Sequence, residues 1–106
     1  MPEVRKLRYR YEGTHWGDEG GPVSSRLYAH TFHVVKETPK GCWIDVYGKR
    51  KFILNDAVKR YAYPTKELAL RSFIARKRRQ CAILRAQLKN AEGLLAYASV
   101  LKEPPP

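Results

Sequence analysis

From Lys66 to about Ser99 nearly every residue favours a helix, with Gly93 as the one weak point. Unbroken, such a helix spans about 50 Å. A typical strand of about six residues covers only about 20 Å. Against strands of that length, part of the helix's apolar stripe is expected to overhang the sheet. The start is marked by "PTKE" (Pro64–Glu67). Thr65 suits the N-cap, and Glu67 suits the positive first turn. Leu68 stands where a full capping box needs Glu or Gln. Gly93 is the place where the helix can bend or split.

Alternating steps of four and three pick out Leu70, Ile74, Lys77, Cys81, Leu84, Leu88, Ala91, Leu95 and Ala98. This is a heptad-like apolar stripe interrupted only by Lys77. It suits packing along a sheet or pairing with another helix, and Leu84, Leu88 and Leu95 are its candidate oligomer seam. "FIARKRRQCAIL" (Phe73–Leu84) has four consecutive basic residues, but at about 100° per residue they scatter around the axis. The coherent set is Arg71, Arg78 and Arg85, seven apart, with Lys89 beside them. Successive arginines of this ridge stand about 10 Å apart along the axis. Two uses fit it. It contacts an anion, to which arginine's planar fork offers paired hydrogen bonds. Or it is the solvated flank of the seam, with long stems covering apolar surface. Lys77 sits inside the stripe and suits a partly open seam, a boundary between packed sections, or an acidic partner.

The first half of the chain alternates with period two instead. In Val4–Glu12, Leu7, Tyr9 and Tyr11 point one way and Lys6, Arg8 and Arg10 the other, which predicts a strand with one apolar and one basic face. Gly13–Ser25, with four glycines and a proline, reads as a long loop. Leu27–Thr38, Cys42–Gly48 and Arg50–Leu54 follow as strands, with turns at Pro39–Gly41 and near Gly48–Lys51. Asn55–Thr65 is a connector. The expected fold class is α+β: a small antiparallel sheet of three to four strands followed by one long C-terminal helix. It forms a single domain over 1–101, with "KEPPP" (Lys102–Pro106) as an extended, flexible tail.

Composition narrows the function. Against 21 Lys and Arg stand 10 Asp and Glu, a formal charge of +11. That excess attracts polyanions: nucleic acid, a signalling nucleotide, or an acidic protein face. No apolar run approaches a membrane span, so no membrane partner is expected, and no signal core marks the N-terminus. Cys42 and Cys81 fall in no metal-binding spacing, and two buried free thiols in a reducing cytoplasm are the simplest account. His30 and His33, three apart on a strand, face opposite sides and hold no metal together. His15 lies in the Gly-rich stretch beside Trp16 and near Asp18 and Glu19, and a catalytic or metal role for that stretch is the minor reading. No P-loop, dinucleotide fingerprint or nucleophile elbow occurs, so no catalytic residue, metal or cofactor is assigned. Tyr9, Tyr47, Trp43 and Trp16 are the candidate stacking or loop contacts, core packing being the commoner use of such rings.

"RYAYPTKELALRSFIARKRRQCAILRAQLKNAEGLLAYA" (Arg60–Ala98), "KETPKGCWIDV" (Lys36–Val46) and "RKFIL" (Arg50–Leu54) resemble small tailed-bacteriophage accessory proteins of unassigned function, over about Tyr28 to Ala98. The resemblance implies a setting, the cytoplasm of an infected bacterial host, and carries over no site residue. With the charge, it leads to the expectation of a non-enzymatic inhibitor that captures an anionic host target to counter antiviral defence. The alternatives are a phage DNA- or RNA-binding protein for transcription or replication, and an oligomeric structural or assembly protein.

Overall fold

A computed structural model describes residues 6–17 and 24–106. The start of the expected first strand, at Val4 and Arg5, and the centre of the Gly-rich stretch lie outside the described residues. Four strands, β1 (Leu7–Trp16), β2 (Ser24–Glu37), β3 (Gly41–Val46) and β4 (Lys49–Leu54), precede one helix, α1 (Lys66–Ser99). The strands form one antiparallel sheet in the order β1-β2-β3-β4, the α+β arrangement expected from the two periodicities. Residues up to Phe73 form one compact unit and Ile74–Pro106 a second.

In the first unit, the β1–β2 ladder runs from Leu7 opposite His33 to Trp16 opposite Ser24. It takes in Gly13–Trp16 and Ser24–Ser25, which the sequence assigns to a loop. The reason is pairing: once Leu7–Glu12 is in register, Ser24–Tyr28 offers a continuous edge to the residues that follow. Between Val34 and Lys36 the β2–β3 register shifts by a bulge. Two tight turns set the remaining register. At Thr38–Gly41, the Thr38 amide donates to the Gly41 carbonyl (2.8 Å). A Cβ on Gly41 would lie 2.0 Å from the Ile53 carbonyl oxygen, so only glycine lets β3 and β4 approach there. Between Val46 and Lys49, Tyr47 (φ 52°) and Gly48 (φ 87°) both take positive φ, as a two-residue primed turn requires. The Gly48 amide donates to Asp45 Oδ1 (2.9 Å).

The registers place Arg8, Arg10, His30, Phe32, Val34, Cys42, Ile44, Lys51 and Ile53 on one sheet face. That face carries the core: Phe32, Cys42, Ile44 and Ile53 are buried together with Ala62. The expected apolar face of β1 is therefore not its core face. Arg8 and Arg10 share the core's side, which their long stems allow, and both faces of β1 from Leu7 to Glu12 are half-buried. Tyr61 packs against the cluster. Tyr63 pairs by backbone with Tyr9 at the outer edge of β1, at 2.7 and 2.8 Å. On the opposite face, the Phe73 ring and Leu27 fill the space above Gly13.

The helix begins where expected. Thr65 Oγ1 accepts from the Leu68 amide (3.2 Å), and the Thr65 carbonyl accepts from Ala69 (3.1 Å). The helix runs through Gly93 without a break. In the second unit, every residue from Lys77 to Pro106 is exposed. No helix of the described residues is long and apolar enough to cross a membrane. Both cysteines are free: Cys42 is buried and Cys81 exposed. The expectation of two buried thiols fails at Cys81, because its helix face meets no other element of the second unit.

Candidate anion-binding surfaces

Some basic residues of the sheet unit are engaged, while Lys36, Lys40, Lys49, Arg50 and Lys59 are exposed. Arg10 Nη1 donates to the Tyr61 carbonyl (2.8 Å), its Nε pairs with Glu12, and its guanidinium lies 4.5 Å from the Tyr61 ring centre. Lys51 Nζ lies 4.1 Å from the same centre. Tyr61 in turn meets Phe32 at 5.6 Å. This cluster closes one flank of the core by stacking two cations on one half-buried ring. Arg60 Nε donates to the Ala57 carbonyl (3.0 Å), Lys6 pairs with Glu37 (2.8 Å), and Arg8 Nη1 donates to the Leu7 carbonyl (3.0 Å). Arg10 and Arg60 hold local structure through backbone carbonyls, whereas the Lys6–Glu37 pair is solvent-exposed and weak. Tyr61, Arg10 and Lys51 were not candidates on sequence grounds. The parity of Arg10 within β1 was visible, but Tyr61 sits in an aperiodic connector.

The four candidate stacking residues do not form one platform. Tyr9 and Trp43 lie on the face opposite the core. Lys66 Nζ stands 5.8 Å from the Tyr9 ring centre, and Trp43 lies 5.1 Å from Phe52. Trp43 and Phe52 line an open recess with Thr38, Pro39 and Lys40. Tyr47 caps the other face. It is 78% exposed, its hydroxyl is 2.7 Å from His30 Nδ1, and its ring meets Phe32 edge-on at 6.0 Å. Trp16 stands at the exposed end of the β1–β2 hairpin. The histidines fall on opposite faces, with His30 opposite Arg10 and His33 opposite Leu7. Among the described residues no three His, Cys, Asp or Glu side chains gather as metal ligands.

The helix behaves differently. Between Ala69 and Ala91 stand Arg71, Arg76, Lys77, Arg78, Arg79, Arg85 and Lys89, with no acidic residue among them. Arg71 falls in the first unit; Arg78, Arg85 and Lys89 are exposed in the second. Lys77 Nζ donates to Gln80 Oε1 (3.0 Å) across one turn. Within the second unit the seam residues Leu84, Leu88 and Leu95 are 54%, 59% and 68% exposed. An apolar stripe and a basic flank thus lie side by side on one exposed helix. No family model, curated protein or solved structure matches the chain.

Proposed function

We propose that this is a non-enzymatic binding protein that captures or blocks an anionic host target. Its setting is the cytoplasm of an infected bacterial host, and its role is to counter antiviral defence. One observation carries the binding reading: seven basic side chains and no acidic one between Ala69 and Ala91, on a helix whose residues from Lys77 onward are all exposed. A field of one sign on an exposed ridge draws in polyanions and loses strength as salt rises. The phage setting and the anti-defence role rest on the resemblance of Arg60–Ala98, Lys36–Val46 and Arg50–Leu54 to small tailed-phage accessory proteins. DNA or RNA binding is the second reading, favoured by the spacing of about 10 Å between Arg78 and Arg85.

The test is a binding panel at low and high salt: duplex DNA, single-stranded RNA, a cyclic dinucleotide, an ADP-ribose-type nucleotide and an acidic protein. Capture predicts a salt-sensitive complex with at least one of them, weakened by R78E with R85E. A nucleotide ligand should raise the melting temperature and be recovered unchanged. Recovery of a cleaved ligand would replace the proposal with an enzyme. Indifference to all five would remove it.

A further inference from the structure

Within the second unit the stripe has a heptad frame, and the frame sorts the charges. Ile74, Cys81, Leu88 and Leu95 occupy the a positions, and Lys77, Leu84, Ala91 and Ala98 the d positions. The residue after each d, the e position, is then Arg78, Arg85, Glu92 or Ser99. The residue before each later a, the g position, is Gln80, Gln87 or Leu94. One flank of the seam is therefore cationic over its first half, and the other flank is uncharged.

That asymmetry bears on what can cover the stripe. In a parallel pair of identical helices, e faces g of the partner helix. Arg78 and Arg85 would meet only glutamine or leucine, and Lys77 would meet Lys77 of the second copy inside the seam. In an antiparallel pair, e faces e in reverse order: with the two stripes in full overlap, Arg78 meets Glu92 of the second copy while Arg85 meets Arg85. Neither self-arrangement neutralises the whole flank: the parallel pair leaves both arginines without a carboxylate and sets Lys77 against Lys77, and the antiparallel pair still sets Arg85 against Arg85. A nucleic-acid backbone would neutralise the arginines but leave Leu84, Leu88 and Leu95 in water. A helix with its own apolar seam and carboxylates facing Arg78, Arg85 and Lys77 satisfies both features at once.

We infer that residues 74–98 form a docking surface for an acidic amphipathic helix of another protein, held by the apolar seam and selected by the arginine flank. The inference rests on the anionic-target reading and names the class of target. Exposure agrees with it. From Lys77 onward the helix buries no side chain in its own unit, whereas most helical stability in proteins comes from packing an amphipathic face.

The experiment uses the full chain and two synthetic helical peptides of about four heptads, both with leucine at a and d. One carries glutamate at e and g, the other lysine. Sedimentation and fluorescence anisotropy should show a monomer that forms a one-to-one complex with the glutamate peptide, at least roughly tenfold tighter than with the lysine peptide. L84E with L88E should abolish the complex, while tryptophan fluorescence reports an intact sheet. R78E with R85E should invert the preference and take up the lysine peptide, which a merely structural role for these arginines would not produce. A homodimer that the glutamate peptide fails to displace overturns the inference, as does equal affinity for both peptides. Tight binding of duplex DNA without peptide binding overturns it too, yet leaves anionic capture standing. Failure of peptides, nucleic acids and nucleotides alike removes both.

Discussion

The sheet unit ties down several of its cations, whereas the helix unit leaves its basic ridge exposed. In the sheet, Arg10 and Lys51 share one tyrosine ring, Lys6 holds Glu37, and Arg60 ties down its own connector. Of these, Arg10, Lys51 and Arg60 are tied to the folded chain, and the Lys6 pair is exposed and weak. On the helix, Arg78, Arg85 and Lys89 make no hydrogen bond or ion pair among the described residues, and they flank leucines that are more than half exposed. The sequence carries nearly the same density of Lys and Arg in both halves. What separates Arg10, Lys51 and Arg60 from Arg78, Arg85 and Lys89 is whether an aromatic ring, a carboxylate or a carbonyl stands within reach. Net charge alone therefore says little about which cations are available to a ligand.

The contrast can be broken from the sheet side first. Gly41→Ala should have the largest effect, because its Cβ would collide with the Ile53 carbonyl at 2.0 Å and part β3 from β4. A loss of about 4 kcal/mol is expected, read from the urea midpoint of tryptophan fluorescence. Retained stability would mean that the turn can shift. Ile44 is fully buried, so Ile44→Ala should cost about 3 kcal/mol by the same measurement. Thr65→Ala removes the oxygen that caps the Leu68 amide and should cost about 1 kcal/mol. Gly93→Ala tests the helix alone. Nothing lies within 4 Å of the added methyl, so helix content by circular dichroism should rise, with a gain of up to about 1 kcal/mol. Least of all, Leu84→Ala should leave the urea midpoint of the free chain unchanged within about 0.5 kcal/mol. A larger loss there would show that the stripe is already covered within the free protein, and would erase the contrast.

The helix was legible because its signals are local. Pro64 and Thr65 open it, helix formers fill it, and no second breaker accompanies Gly93. The strands were legible from alternation, and the turn near Gly48 from its glycine. Which face of β1 meets the core was not legible, since alternation separates two faces without ranking them. The long stems of Arg8 and Arg10 let basic residues share the core's side. Gly13–Trp16 read as loop because its composition is that of a loop; the strand there is made by its pairing partner. Tyr61 and Ala62 were hidden for a related reason. They lie in a connector with no period, and only the folded chain shows that Ala62 completes the core and that Tyr61 carries two cations. The arginine ridge was fully legible as a pattern, while the engagement of Arg10, Lys51 and Arg60 in the sheet unit was not.

Cys81 lies at an a position of the stripe, exposed, while the only other thiol, Cys42, is buried. The chain thus carries its own chemical footprint reagent site. In the free protein a maleimide should label one cysteine quickly and spare the other until the sheet unfolds. Once a helix seats on the stripe, labelling at Cys81 should slow in proportion to occupancy. Were two copies to pair parallel and in register, the two Cys81 sulfurs would meet across the seam, and mild oxidation would lock them into a covalent dimer visible on a non-reducing gel.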